Sequence, residues 1–232
     1  MKKTVKNTKP FVCQYCGLGF TKESTILVHS CEKKRRALAR NDKCVNLGYK
    51  TYVRFFQISQ NKKDTKTYED FCKSNFYNAF VRFGSFLSNV NPLYPSQYID
   101  WIINSGVKID HWCKEDLYYK YVLDLIKKET AEVALKRSVE TMIAWADTAN
   151  ADWNEYFKKA SPHRVVYDIQ DGRISPWLLL NCNSGKMMLN QFADDQLTLI
   201  FNMLDPDYWG KKFKNCPADV EFIKTLVRES DL

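Results

Sequence analysis

The sequence has no apolar run that approaches the roughly 18 residues of a membrane-spanning helix. Its basic start, residues 1–10, leads into no apolar segment of the kind that forms a signal peptide. Catalytic signatures such as G-x-S-x-G and H-E-x-x-H are missing, and no small-molecule substrate can be identified. We therefore expect a cytoplasmic protein that is neither an enzyme nor bound to a membrane. Three of the eight cysteines are spaced like metal ligands and must stay reduced to bind, which indicates a reducing compartment.

Glycine and proline are scarce, at 8 and 7 of 232 residues, which argues against a low-complexity chain. Aromatic residues are abundant instead, at 14% of the chain, and apolar residues together make up 45%. So many large side chains need a core in which to be buried. The composition predicts at least one compact domain.

The charge is distributed unevenly along the chain. Residues 1–66 contain 16 Lys and Arg against 4 Asp and Glu, a net charge of +12. Residues 67–232 contain 19 against 23, a net charge of −4. A local density of cations favours a polyanion partner, because counterions are released when phosphates are neutralised. The alternative is a solvated tail that only aids solubility.

The periodicity of apolar residues predicts a mainly α (α+β) fold. Phe76, Phe80 and Phe83 recur at helical spacing and are expected in the core, with base stacking as the alternative role. Apolar residues alternate from Val165, and Asp171-Gly172 suits a two-residue turn, so a β-hairpin is predicted near 165–180.

Three segments are expected along the chain. Residues 1–44 would form a metal-binding module with a basic helix, and residues 45–66 a connecting helix and linker. Residues 67–232 would form a mainly helical domain.

A metal-binding pattern lies near the N-terminus. Cys13 and Cys16 are spaced to donate two thiolates from one turn, and His29 follows on a predicted helix. Phe20 and Ile26 are placed to cover the site. These positions resemble the C2H2 zinc finger over about twenty residues. The resemblance implies a ββα fold that binds Zn²⁺.

The fourth ligand departs from that family, because no second histidine follows at the usual interval. Cys31 is the nearest donor and Cys44 the alternative. Residues two apart on a helix point about 200° apart, so Cys31 can join His29 only if the helix unwinds at Ser30. The cysteines could also be reduced core residues without a metal.

The family's docking geometry implies that Lys22, Thr25 and Val28 face bases, with Ser24 between them. These side chains can distinguish few base pairs, since Val28 offers only an apolar contact. Phosphate contacts are expected from the basic residues that follow the module: Lys33, Lys34, Arg35, Arg36 and Arg40.

The expected function is largely non-sequence-specific binding of nucleic acid, of DNA before RNA, with a protein partner docked on the helical domain. The alternative is a structural or assembly protein whose finger makes a protein contact. Segments 68–71, 91–95 and 108–112 resemble an uncharacterised family of large tailed-phage proteins. That resemblance spans most of the chain and implies no known activity, but it implies a location in the host cytoplasm or the virion. Nucleic-acid binding there would serve phage DNA metabolism or transcription, and the alternative would serve phage structure or assembly.

Overall fold

The structure is a computed structural model that describes residues 9–60 and 66–232. Their contacts divide the chain into two compact units. The first unit comprises the described part of Met1–Asn91 together with Pro95–Cys113. The second comprises Pro92–Tyr94 and Lys114–Leu232.

The first unit opens with a two-stranded antiparallel sheet, in which Phe11 pairs with Phe20 and Val12 with Gly19. Its strands and α-helices are β1 (Phe11–Val12), β2 (Gly19–Phe20), α1 (Glu23–Val28), α2 (Glu32–Leu38), α3 (Lys43–Gln60), α4 (Tyr68–Lys73), α5 (Tyr77–Val90) and α6 (Pro95–Asn104). Two 3₁₀ turns, Ala39–Asn41 and Ile109–His111, complete the described elements of this unit.

Two glycines let α3 and α5 approach closely. A Cβ on Gly84 would lie 2.0 Å from the carbonyl oxygen of Cys44, and a Cβ on Gly48 would lie 2.6 Å from that of Phe80. Only the absence of a side chain permits such backbone contact. The pair of helices forms the framework on which the aromatic core of the first unit packs.

The secondary-structure elements described in the second unit are all helical. Its α-helices are α7 (Glu115–Lys128), α8 (Ala131–Ala149), α9 (Tyr156–Lys159), α10 (Pro162–Gln170), α11 (Pro176–Leu179), α12 (Asn183–Leu189), α13 (Asp194–Ile200), α14 (Pro206–Asn215) and α15 (Pro217–Glu229). Trp153–Glu155 forms a 3₁₀ turn before α9.

A buried ion pair organises the centre of the second unit. The guanidinium of Arg137 makes two bonds to the carboxylate of Glu129, one of them 2.8 Å long, and the two side chains are only 5% and 2% exposed. Ser175 Oγ donates to the same carboxylate at 2.9 Å, and the Ser175 N–H donates to Ser138 Oγ. These bonds replace the water that both charges lose on burial.

The mainly helical prediction is confirmed, but the β-hairpin predicted near 165–180 is wrong. Ser161 caps α10 by accepting the N–H of Arg164, and Pro162 occupies the first turn. The Asp171-Gly172 pair ends this helix, with Gly172 at φ +72°. A glycine of positive φ after a helix is a common C-terminal cap, and here it replaces the expected hairpin turn.

The compact units divide the chain differently from the predicted segments 1–44, 45–66 and 67–232. Most of the expected connector lies in α3, which packs along α5 through Gly48 and Gly84. Residues 61–65 of that connector lie outside the described residues.

Among the described residues, no helix combines the length and the apolar character that crossing a membrane requires.

Candidate metal centre and basic segment

Four side chains of the first unit converge on one point. The ligand atoms of Cys13, Cys16, His29 and Cys31 all lie within 4.8 Å of one another. Cys16 Sγ and His29 Nε2 are 3.4 Å apart. The group brings together the four ligands expected from the sequence.

Cys13 and Cys16 are held on the turn that joins the two strands. The Cys13 N–H donates to the carbonyl of Leu18 at 2.9 Å, and the Gly17 N–H donates to the carbonyl of Cys13 at 2.8 Å. Gly17 has φ +75°, a conformation that glycine adopts without strain. The turn therefore directs both thiols to the same side.

His29 and Cys31 lie where the chain leaves helical geometry. α1 ends at Val28, and His29 is extended, with ψ 120°. Cys31 is also extended and caps α2, its Sγ accepting the N–H of Lys34 at 3.4 Å. The break at Ser30, which ligation by Cys31 requires, is present. Cys44, the alternative ligand, lies in the first turn of α3 and is not in the group.

Apolar contacts cover the centre on the sheet side. The rings of Phe20 and His29 lie with their centroids 4.8 Å apart. Phe20 pairs with Phe11 across the sheet, and Ile26 on α1 is half-buried. A module this small buries too little apolar surface to be stable by itself, so it needs a further stabilising interaction.

The two thiols of the turn differ in acidity. The backbone N–H groups of Cys16 and then Tyr15 lower the pKa of the Cys13 thiol below its ordinary value. The N–H of Leu18 favours the Cys16 thiolate, but burial and the thiols of Cys13 and Cys31 outweigh it and raise the Cys16 pKa. Thiolates this close repel one another, so a cation among them would favour full ionisation.

The donor set fits a tetrahedral metal ion. Bonds of about 2.3 Å to sulfur and about 2.0–2.1 Å to nitrogen imply ligand atoms roughly 3.6 Å apart at tetrahedral angles. The 3.4 Å between Cys16 and His29 is close to that value, and the group's upper limit of 4.8 Å requires only small side-chain rotations. The Cys3His group could therefore hold a metal ion.

Most of the residues expected to contact nucleic acid are exposed. They are Lys22, Ser24, Thr25, Lys33, Arg35 and Arg40. Lys34 is half-buried, and its Nζ donates to the carbonyl of His29 at 3.2 Å. Arg40 lies over the ring of Tyr68, 5.4 Å from its centroid. We call residues 32–40 the basic segment.

Arg36 differs from this expectation because its side chain is turned inward and only 16% exposed. It donates to the carbonyls of Cys72 and Ser74, pairs with Glu32 and lies 4.4 Å from the centroid of Tyr77. It therefore fixes the basic segment to α4 and α5 and is unavailable for phosphate. The i,i+4 spacing to Glu32 signals the ion pair in the sequence, whereas nothing there signals the contact with Tyr77.

The positive charge of the chain belongs to the first unit. Its sequence ranges contain 19 Lys and Arg against 8 Asp and Glu, a net charge of +11, and those of the second unit have a net charge of −3. In the first unit the Cys3His group and the basic segment are adjacent in sequence.

Comparisons with protein-family models, with curated proteins and with solved structures find no match for this chain.

Proposed function

We propose that the protein binds nucleic acid through a zinc-stabilised ββα module and the basic segment that follows it. The observation that carries the proposal is the exposure of Lys33, Arg35 and Arg40 directly after the Cys3His group, in a unit of net charge +11. Cations held on an ordered backbone can neutralise several phosphates together and release their counterions.

Zinc is the metal that best suits this donor set. Three thiolates and one imidazole in tetrahedral arrangement are typical of structural zinc sites, whose four positions are all filled by the protein. The ion would stabilise the module and would not act in catalysis. All eight cysteines are free thiols, which suits a reducing compartment such as the cytoplasm.

Recognition of base sequence would be weak. The exposed positions of α1 include Thr25 and Val28, of which Val28 is 80% exposed and can make only apolar contacts. One module of this size covers about three base pairs. Phosphate contacts would therefore dominate the affinity, and we propose DNA before RNA as the nucleic acid.

The second unit would dock a protein partner. It has the opposite net charge, −3, and presents apolar side chains to solvent at the end of α13, where Leu199 and Phe201 are 51% and 61% exposed. Exposed apolar side chains close together are typical of protein contacts.

The test is the salt dependence of binding. Labelled duplex DNA is titrated with the full chain and with Lys33→Ala/Arg35→Ala, over a series of salt concentrations. Each lost phosphate contact should reduce the slope of log affinity against log salt by about 0.9. The control, Lys211→Ala/Lys214→Ala, removes two exposed cations of the second unit and should leave the slope unchanged. Absence of binding by the unaltered chain at low salt would refute the proposal.

A second candidate function is a protein contact made by the finger in a structural or assembly protein. It is favoured by the large apolar side chains that the module and the basic segment expose: Leu27 at 73%, Val28 at 80% and Leu38 at 65%. This function is supported if the chain binds no nucleic acid but binds a protein partner, and if Leu27→Ser/Val28→Ser abolishes that protein binding. If the resemblance to tailed-phage proteins holds, either function would operate in the infected host's cytoplasm or in the virion.

A further inference from the structure

The first unit contains an apolar cavity of about 260 Å³ beside α5. Four of its nine lining residues are aromatic, and we call it the aromatic pocket. The residues that matter here are Phe55, Phe76, Phe80, Val107, Lys108 and Trp112. Pockets for drug-sized ligands usually measure about 300–1,000 Å³, so this one suits a single ring system.

Phe76 is the exposed wall of the pocket. Phe80 and Phe83 are 1% and 0% exposed, as the predicted core stripe requires, whereas Phe76 is 55% exposed. The exposed fractions differ because Phe80 and Phe83 lie on the buried face of α5, whereas Phe76 is the N-cap that precedes the helix. A large ring in this position is available to a ligand.

Two further aromatic residues line the pocket, Phe80 and Trp112; both are buried, and the polar group of Trp112 is already satisfied. Trp112 is 1% exposed, and its Nε1 donates to the carbonyl of Val107 at 2.8 Å. The Phe80 and Trp112 centroids are 6.0 Å apart, with their planes at 84°. Lys108 lines the pocket as an exposed cation. The fitting ligand is a flat ring with a negative group beside it.

The pocket adjoins the basic segment through two hydrogen bonds. Arg36 Nη1 donates to the carbonyl of Ser74 at 3.3 Å, and Ser74 Oγ accepts the N–H of Phe76 at 3.1 Å. Arg36 of the basic segment is therefore linked through Ser74 to the backbone of Phe76.

We propose that the aromatic pocket receives one unpaired base of single-stranded nucleic acid, stacked on Phe76, while Lys108 contacts its phosphate. This inference rests on the proposed function, and it specifies that the bound nucleic acid is single-stranded. Charge complementarity selects this occupant, because the pocket lies in the unit of net charge +11 and is lined by the exposed cation Lys108. Aromatic stacking is available to every base, so it confers preference for single strands without reading sequence.

The experiment measures the affinity of the full chain for a labelled homothymidine strand and for a duplex of equal length. Phe76→Ala should weaken binding of the single strand roughly 5- to 100-fold and leave duplex binding unchanged. Lys108→Ala should reduce the salt slope on the single strand by about 0.7. Phe201→Ala, which removes a ring of similar exposure from the second unit, is the matched control and should change neither affinity.

A strand of the same length with abasic sites tests the base directly. The unaltered chain should bind it as weakly as Phe76→Ala binds the normal strand, and Phe76→Ala should bind both strands equally. Equal affinity of the unaltered chain for normal and abasic strands would overturn the inference. The occupant of the aromatic pocket would then be an apolar side chain of a protein instead of a base. That result, with steep salt dependence retained, leaves the proposed function standing. No binding of any nucleic acid would overturn both.

Discussion

Replacing Gly84 by alanine should destabilise the first unit, although alanine is the better helix former. The intrinsic gain is about 0.8–1.0 kcal/mol for an interior helical position. Against it, the new Cβ would lie 2.0 Å from the carbonyl oxygen of Cys44 and 2.7 Å from the N atom of Gly48. Ordinary contact needs about 3.5 Å, so α3 and α5 would have to separate by roughly 1.5 Å.

The atoms in the way belong to the backbone and cannot rotate aside as a flexible side chain would. Overpacking of this kind typically costs about 1–3 kcal/mol and occasionally more, and the separation would also loosen the aromatic core between the helices. We expect the upper end of this range, which leaves a net loss of about 2 kcal/mol after the propensity gain.

Native-state hydrogen exchange resolves this effect by unit. Peptides from α3 and α5 should exchange roughly 30-fold faster in Gly84→Ala, which corresponds to about 2 kcal/mol, while peptides from α15 should be unchanged. Gly210→Ala is the control, because no heavy atom lies within 4 Å of its Cβ position in α14. It should be neutral or slightly stabilising. Unchanged protection of α5 in Gly84→Ala would refute the close approach of the two helices.

Removing Glu129 as Glu129→Ala should cost the second unit about 3–5 kcal/mol in urea unfolding, because the charge of Arg137 would be left buried without its partner. Its exposed counterpart, Glu69→Ala, breaks a surface pair and should stay within about 0.5 kcal/mol of the unaltered chain. Native mass spectrometry should find one zinc ion bound per chain, lost in Cys31→Ala and retained in Cys44→Ala. Retention in Cys31→Ala with loss in Cys44→Ala would reverse the assignment of the fourth ligand.

The local pattern near the N-terminus predicts Cys13, Cys16 and His29 as members of one group, and it favours Cys31 over Cys44 as the fourth. The spacing of Cys13 and Cys16 determines a turn, and His29 and Cys31 can meet only where the helix is broken. Each of these features depends on residues close in sequence, and the structure contains all of them.

Other structural features depend on contacts with residues distant in sequence, or on sequence patterns that are compatible with two different structures. Asp171-Gly172 suits a hairpin turn and a helix end equally well, and only burial of the preceding apolar face selects the helix. The inward turn of Arg36 requires Tyr77, and the exposure of Phe76 depends on where α5 begins. None of these follows from charge or periodicity within one segment.

The most direct test of the metal-organised module is zinc X-ray absorption on the purified, zinc-loaded chain. The account predicts three sulfur ligands at about 2.3 Å and one nitrogen at about 2.0–2.1 Å, with the same spectrum in Cys44→Ala. A shell of four sulfurs, a shell of oxygen and nitrogen only, or a chain that retains no zinc would contradict it.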